Sequence, residues 1–138
     1  MIDIINNSHN QQTICEPVSI NGIGLHSGIN VSMKLLPAES NYGIKFIRKD
    51  IANNNVIEAL WSNVSNTNLS TTISNQSGVS VSTIEHLMSA LSGLHIDNIK
   101  IEIDGPEVPI MDGSSIKFVD LIDQTSTQDL NKKRKILK

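Results

Sequence analysis

Apolar and polar residues alternate along several short segments of the chain, a pattern typical of half-buried β-strands. The alternation predicts strands over residues 13–20, 30–36, 44–48, 56–60, 69–73 and 98–104, and a short strand that ends at Val81. The segment PAESNYG between the second and third of these strands is rich in turn residues. We therefore expect those two strands to form a hairpin.

The period changes to that of a helix after residue 81. Ile84, Leu87, Met88 and Leu91 lie at positions i, i+3, i+4 and i+7, which is one face of an amphipathic helix, and Gly93 is placed to end it. Residues 112–115 offer N-caps for a second helix, whose apolar positions are Ile116, Val119, Leu121 and Ile122. The order of elements predicts a single α+β domain, a mostly antiparallel sheet layered with two helices.

Composition limits the class of protein. A chain of 138 residues fits one domain, and with 38% apolar but only 3% aromatic residues its core must consist of Ile, Leu, Val and Met. One cysteine, Cys15, excludes an internal disulfide framework and fits a reducing compartment. The first twelve residues do not resemble a signal peptide, and no apolar run is long enough for a membrane span. We expect a cytoplasmic protein.

Charge divides the chain unevenly. Residues 132–138 hold five of the eleven Lys and Arg. The other 131 residues contain six Lys and Arg and fourteen Asp and Glu, so their net charge is −8. An acidic body without a basic patch argues against nucleic-acid binding. We expect a loose N-terminus over residues 1–12, a domain over 13–130, and a basic linker over 131–138.

The candidate chemistry lies in the segment STIEHLMSAL, residues 82–91. Ser82 and Glu85 match a capping box, and His86 could be an ordinary surface histidine. A helical projection, however, places Glu85 and His86 away from the apolar face, beside Ser89 and Gly93. Such small neighbours indicate a face that a ligand or another surface approaches. Glu and His suit metal-assisted hydrolysis, but catalytic zinc needs about three protein ligands, and this helix supplies one.

A glycine-rich turn, GIGLHSG, occupies residues 22–28. A strand follows it, whereas a phosphate-binding loop would be followed by a helix, so a nucleotide loop is excluded. A hairpin turn and a loop that lines a site both remain open, because His26 lies between flexible glycines. The segment 112–115 could be an active-site turn, but helix capping is the better interpretation.

Three segments together resemble a known family: GIGLHSG (22–28), STIEHLMSALSGLHIDNIKIEI (82–103) and GPEVPIMDGSSIKFV (105–119). They are similar to the N-terminal half of the UDP-3-O-acyl-N-acetylglucosamine deacetylases, zinc amidases of lipid A biosynthesis in Gram-negative bacteria. The resemblance spans residues 13–131. It implies one half of a fold in which two similar α+β domains pack helix layer against helix layer, with zinc between them.

The resemblance also implies roles for individual residues. Glu85 matches the general base and His86 the first of three zinc ligands, while His26, Leu69 and Ser70 match positions that contact substrate. The other two zinc ligands lie in the family's second domain and match nothing in this chain.

The implied function is therefore the N-terminal half of an enzyme that removes the N-acetyl group of UDP-3-O-acyl-N-acetylglucosamine as acetate. By itself, this chain is expected to be inactive and to need the C-terminal domain as its partner. The alternative is a free-standing, non-catalytic binding or structural domain with the same half-fold, in which Glu85 is only a cap.

Overall fold

The computed structural model describes residues 10–134, which form ten strands and two helices. In chain order these are β1 Asn10–Ile14, β2 Val18–Ile23, β3 Asn30–Pro37, β4 Ile44–Arg48, β5 Val56–Glu58, β6 Val64–Asn66, β7 Thr72–Ser74, β8 Ser80–Ser82, α1 Glu85–Gly93, β9 Ile99–Ile103, α2 Ile116–Thr125 and β10 Thr127–Lys133. A short 3-10 helix, Trp61–Asn63, precedes β6. The predicted α+β class is confirmed.

The main sheet has the strand order β2-β3-β9-β4-β5, and a second sheet has the order β6-β7-β8. All pairs are antiparallel except β4 with β9, which is parallel. The predicted hairpin between residues 30–36 and 44–48 is therefore wrong, because β9 lies between those strands. Its apolar side chains Ile99, Ile101 and Ile103 are fully buried, and the centre of the sheet offers the deepest burial.

The single strand predicted over residues 13–20 is two strands in different sheets. Pro17 lacks a backbone N–H, and the chain leaves the first ladder just before it. β1 then pairs with β10, whereas β2 pairs with β3. Residues 69–73 are likewise only partly extended, because β7 begins at Thr72.

The ends of the described chain are more ordered than we expected. Residues 10–12, predicted to be loose, belong to β1, and residues 131–133, predicted to be linker, belong to β10. Gln12 lies opposite Asp129 in the ladder between them. The sequence of β10, TQDLNKK, shows no apolar alternation. Backbone pairing between strands does not need it. The rest of both predicted segments, residues 1–9 and 135–138, lies outside the described residues.

The core is built mostly from Ile, Leu, Val and Met, as predicted, and includes Phe46 and Phe118. Helix α1 buries Leu87, Ala90 and Leu91. Helix α2 contacts α1 and buries Phe118 and Ile122. Within residues 10–134, neither helix is long and apolar enough to cross a membrane.

Candidate functional site

A cavity of about 530 Å³ opens where the second sheet meets the turn after β2. Four chain segments line it, and most of the side chains are polar. They are His26, Ser27, Asn66, Asn68, Leu69, Ser70, Thr72, Ser82, Pro106 and Glu107. The structure thus brings together three residues that the resemblance assigns to substrate contact: His26, Leu69 and Ser70.

Glu85 is the first residue of α1, and its side chain is exposed. The capping box does not form: the N-cap is Ile84, which makes no side-chain cap, and Ser82 belongs to β8. The Ser82 hydroxyl instead accepts a hydrogen bond of 2.9 Å from Thr72 Oγ1. Glu85 is therefore free of the structural role that its sequence context suggested.

The Glu85 carboxylate is tied to the loop that lines the cavity. Its Oε2 accepts the Thr71 N–H at 3.0 Å, and the Thr71 carbonyl accepts the Thr83 N–H at 2.9 Å. This pair of bonds joins the residue after Ser70 to the start of α1. Glu85 does not itself line the cavity, but its carboxylate binds Thr71, which lies between the lining residues Ser70 and Thr72.

His86 follows on the same helix and is half-buried. Ser89 and Gly93 are exposed, and a Cβ added at Gly93 would meet no atom within 4 Å. The outward face predicted by the helical projection is therefore present and open. Among residues 10–134, no three His, Cys, Asp or Glu side chains cluster closely enough to hold a metal ion. His86 is available as one ligand.

The loop before Thr71 presents an apolar side chain to solvent. The Asn66 side chain accepts the Asn68 N–H at 2.8 Å and so closes a turn. Leu69 follows that turn and is 82% exposed. Exposure of a leucine at the rim of a cavity suits contact with an apolar part of a ligand.

The glycine-rich turn closes the hairpin of β2 and β3 and also lines the cavity, so both open interpretations hold. The Gly28 N–H donates to the Gly24 carbonyl at 2.9 Å, and Gly28 has a φ of 67°, which favours glycine. Gly24 is buried, and a Cβ there would collide with the Glu107 carboxylate and the Ser27 hydroxyl. His26 is exposed within this turn.

Sequence reasoning missed Glu107, whose residue surface is only 3% exposed. Its carboxylate accepts the N–H groups of His26 and Ser27 at 3.1 and 2.9 Å and the Thr83 hydroxyl at 2.6 Å. Burial raises the pKa of this carboxyl, but the hydrogen bonds from Thr83, Ser27 and His26 outweigh it and hold the pKa below its usual value. One signal was available, because a charged residue stands between Pro106 and the apolar Val108.

Comparison with known proteins agrees with the resemblance. The family model for UDP-3-O-acyl N-acetylglycosamine deacetylase matches residues 11–138. Proteins named UDP-3-O-acyl-N-acetylglucosamine deacetylase are similar to this chain: 45% identical over 130 residues in Myxococcus xanthus, covering 94% of this chain and 41% of the relative. The relative from Citrifermentans bemidjiense is 52% identical over 127 residues, covering 92% and 41%. That from Shewanella pealeana is 45% identical over 128 residues, covering 93% and 42%.

The chain thus spans about 41% of the length of the first two relatives. The matched region includes all three motif segments and every residue of the cavity. This chain belongs to the UDP-3-O-acyl N-acetylglycosamine deacetylase family.

Proposed function

We propose that this chain is the N-terminal half of a zinc-dependent amidase that hydrolyses the N-acetyl group of UDP-3-O-acyl-N-acetylglucosamine, a step of lipid A biosynthesis. The observation that supports it is the bond from the Thr71 N–H to Glu85 Oε2, which joins the start of α1 to the rim of the cavity. The residues assigned to the site come from three separate parts of the sequence: His26, Leu69 with Ser70, and Glu85 with His86.

Glu85 has the properties of a general base. Its carboxylate is exposed, and Oε2 is oriented by the Thr71 amide. Oε1 has no hydrogen-bond donor among residues 10–134 and can take a proton from an attacking water. General-base assistance of this kind is worth about 10²–10⁴ in rate.

His86 fits one ligand position of a zinc site. His86 is half-buried on the open face of α1, one residue after Glu85, and imidazole is an ordinary zinc ligand. A bound zinc ion would supply Lewis-acid polarisation of the acetamide carbonyl. Two further ligands are needed, and we place them in the part of the longer relatives that this chain does not cover.

The cavity residues would bind the substrate. Leu69 offers an exposed apolar contact at the rim, and Ser70 and His26 offer polar groups beside it. A sugar that carries an acyl chain needs both kinds of contact. The turn of residues 22–28 would hold His26 in the wall of the cavity.

The second candidate is a non-catalytic binding or structural domain with the same half-fold. It needs no three-ligand metal cluster, and residues 10–134 hold none. It is weakened because it interprets Glu85 as a helix cap, and no side-chain cap forms at the start of α1.

Acetate release from UDP-3-O-acyl-N-acetylglucosamine distinguishes the two candidates. The full-length gene product should release acetate, lose activity on chelation and regain it with zinc, whereas the 138-residue chain should release none. A metal-loaded full-length protein that is inactive, or one whose activity survives both chelation and His86→Ala, would refute the proposal.

A further inference from the structure

Glu107 is a buried carboxylate whose hydrogen-bond donors are all uncharged groups. None of the ion pairs among residues 10–134 includes it. Its two oxygens accept two backbone N–H groups of the turn of residues 22–28 and one hydroxyl from the segment before α1. A buried charge is tolerated only when such bonds replace its hydration, so each of these donors is needed where it stands.

The hydroxyl belongs to a residue with an unfavourable backbone conformation. Thr83 has a φ of 60°, in the left-handed region that β-branched residues strongly disfavour. Two bonds hold it there: its N–H donates to the Thr71 carbonyl at 2.9 Å, and its Oγ1 donates to Glu107 at 2.6 Å. Strained residues persist only where the surroundings impose them.

Thr83 stands two residues before Glu85, and both contact Thr71. The Thr71 carbonyl accepts from Thr83, and the Thr71 N–H donates to the Glu85 carboxylate. A change at Glu107 therefore passes through Thr83 and Thr71 to the carboxylate of Glu85. The same change releases the backbone of His26, which also lines the cavity.

The geometry points to Glu107 as a positioning residue for the hydrolytic site: it locks the turn of residues 22–28 against Thr83 and so fixes Glu85 and His26 relative to each other. This inference rests on the proposed function for its catalytic consequence. It does not make Glu107 a catalytic residue, since both of its carboxylate oxygens are engaged by the groups that it orients.

Amide hydrogen exchange of the 138-residue chain tests the positioning without any activity. Glu107→Gln keeps the size of the side chain but places an amide donor or a neutral acceptor against three donors. The His26 and Ser27 amides should lose at least about tenfold more protection than the Leu35 and Ile101 amides in the main sheet. Glu58→Gln, at an exposed glutamate of β5 that makes no ion pair within residues 10–134, should leave all four unchanged. Equal loss at all four amides in Glu107→Gln would overturn the inference.

Kinetics of the full-length protein test the effect on the reaction. Glu107→Gln and Thr83→Val, which removes the hydroxyl but keeps the branched shape, should each lower kcat by about 10–100-fold with zinc content retained and KM within about threefold. Thr83→Ser keeps the hydroxyl and should recover most of kcat. The double variant should be no slower than the slower single variant, because the bond that Thr83→Val breaks is one of those that Glu107→Gln already disturbs.

Folded variants whose kcat stays within about twofold of wild type, or whose effects add in the double variant, would refute the role of Glu107. If Glu107→Gln does not fold, Thr83→Val against Thr83→Ser provides the same comparison. If the wild-type enzyme releases no acetate, the proposed function fails, while the exchange experiment still decides whether Glu107 holds the turn.

Discussion

Replacing Glu85 with glutamine should affect rate and stability on very different scales. The side chain is exposed, it caps no helix, and its hydrogen bond within residues 10–134 is the one from the Thr71 N–H at 3.0 Å. Glutamine keeps an acceptor for that bond and loses only the favourable charge at the start of α1, so the free energy of unfolding should fall by about 1 kcal/mol or less. If the carboxylate is the general base, kcat should fall by about 10²–10⁴, which is about 3–5 kcal/mol of barrier.

Both quantities can be measured on the same substitution. Urea denaturation of the 138-residue chain gives the free energy of unfolding, and acetate release by the full-length protein gives kcat, with zinc content determined in parallel. Glu39→Gln, at another exposed glutamate, is the matched control and should change neither. A loss of more than about 2 kcal/mol of stability together with less than tenfold loss of kcat would show that Glu85 is structural and would refute the assignment.

Three further predictions concern the 138-residue chain. Its affinity for zinc, measured by calorimetric titration, should be weaker than about 1 µM, because residues 10–134 hold no three-ligand cluster; tighter binding that His86→Ala abolishes would contradict this. Its free energy of unfolding should decrease as pH falls below 4.5, the ordinary pKa of a glutamate, because the folded-state pKa of Glu107 is lower and the stabilisation by this carboxylate is lost on protonation. Glu107→Gln should show a shallower decrease in urea titrations across this range, and a slope identical to that of the wild type would contradict the prediction. Phe46→Ala should lower the free energy of unfolding by about 3–5 kcal/mol in urea denaturation, since Phe46 is 0% exposed. Trp61→Ala, at a residue that is 88% exposed, should lower it by less than about 0.5 kcal/mol, and similar losses in the two variants would mean that the core is wrongly placed.

Periodicity predicted the elements whose stability comes from burying one face. β3, β4 and α1 were predicted nearly to the residue, because alternation and the 3.6-residue period each record which side chains enter the core. β10 was missed because its sequence records no such face: its stability comes from backbone pairing with β1. The position of β9 between β3 and β4 was also hidden, since pairing partners depend on the whole sheet rather than on the intervening turn.

The candidate site divides in the same way. Glu85 and His86 could be proposed from the sequence because an outward face with small neighbours is a local property of a helix. The capping box was an equally local interpretation, and it failed because β8 runs through Ser82, which no local pattern shows. The role of Glu107 could not be predicted from its neighbours in sequence, since its donors are 24 or more residues away along the chain.

The zinc affinity of the full-length protein decides whether His86 is a zinc ligand. His86→Asn should lower it by at least about 100-fold, because a site of about three ligands loses one of them. His95→Asn is the matched control: His95 is exposed just after α1 with a φ of 59°, a conformation that asparagine tolerates, and its replacement should leave the affinity unchanged. Unchanged zinc affinity in His86→Asn would show that His86 is not a ligand and would contradict the proposed zinc site.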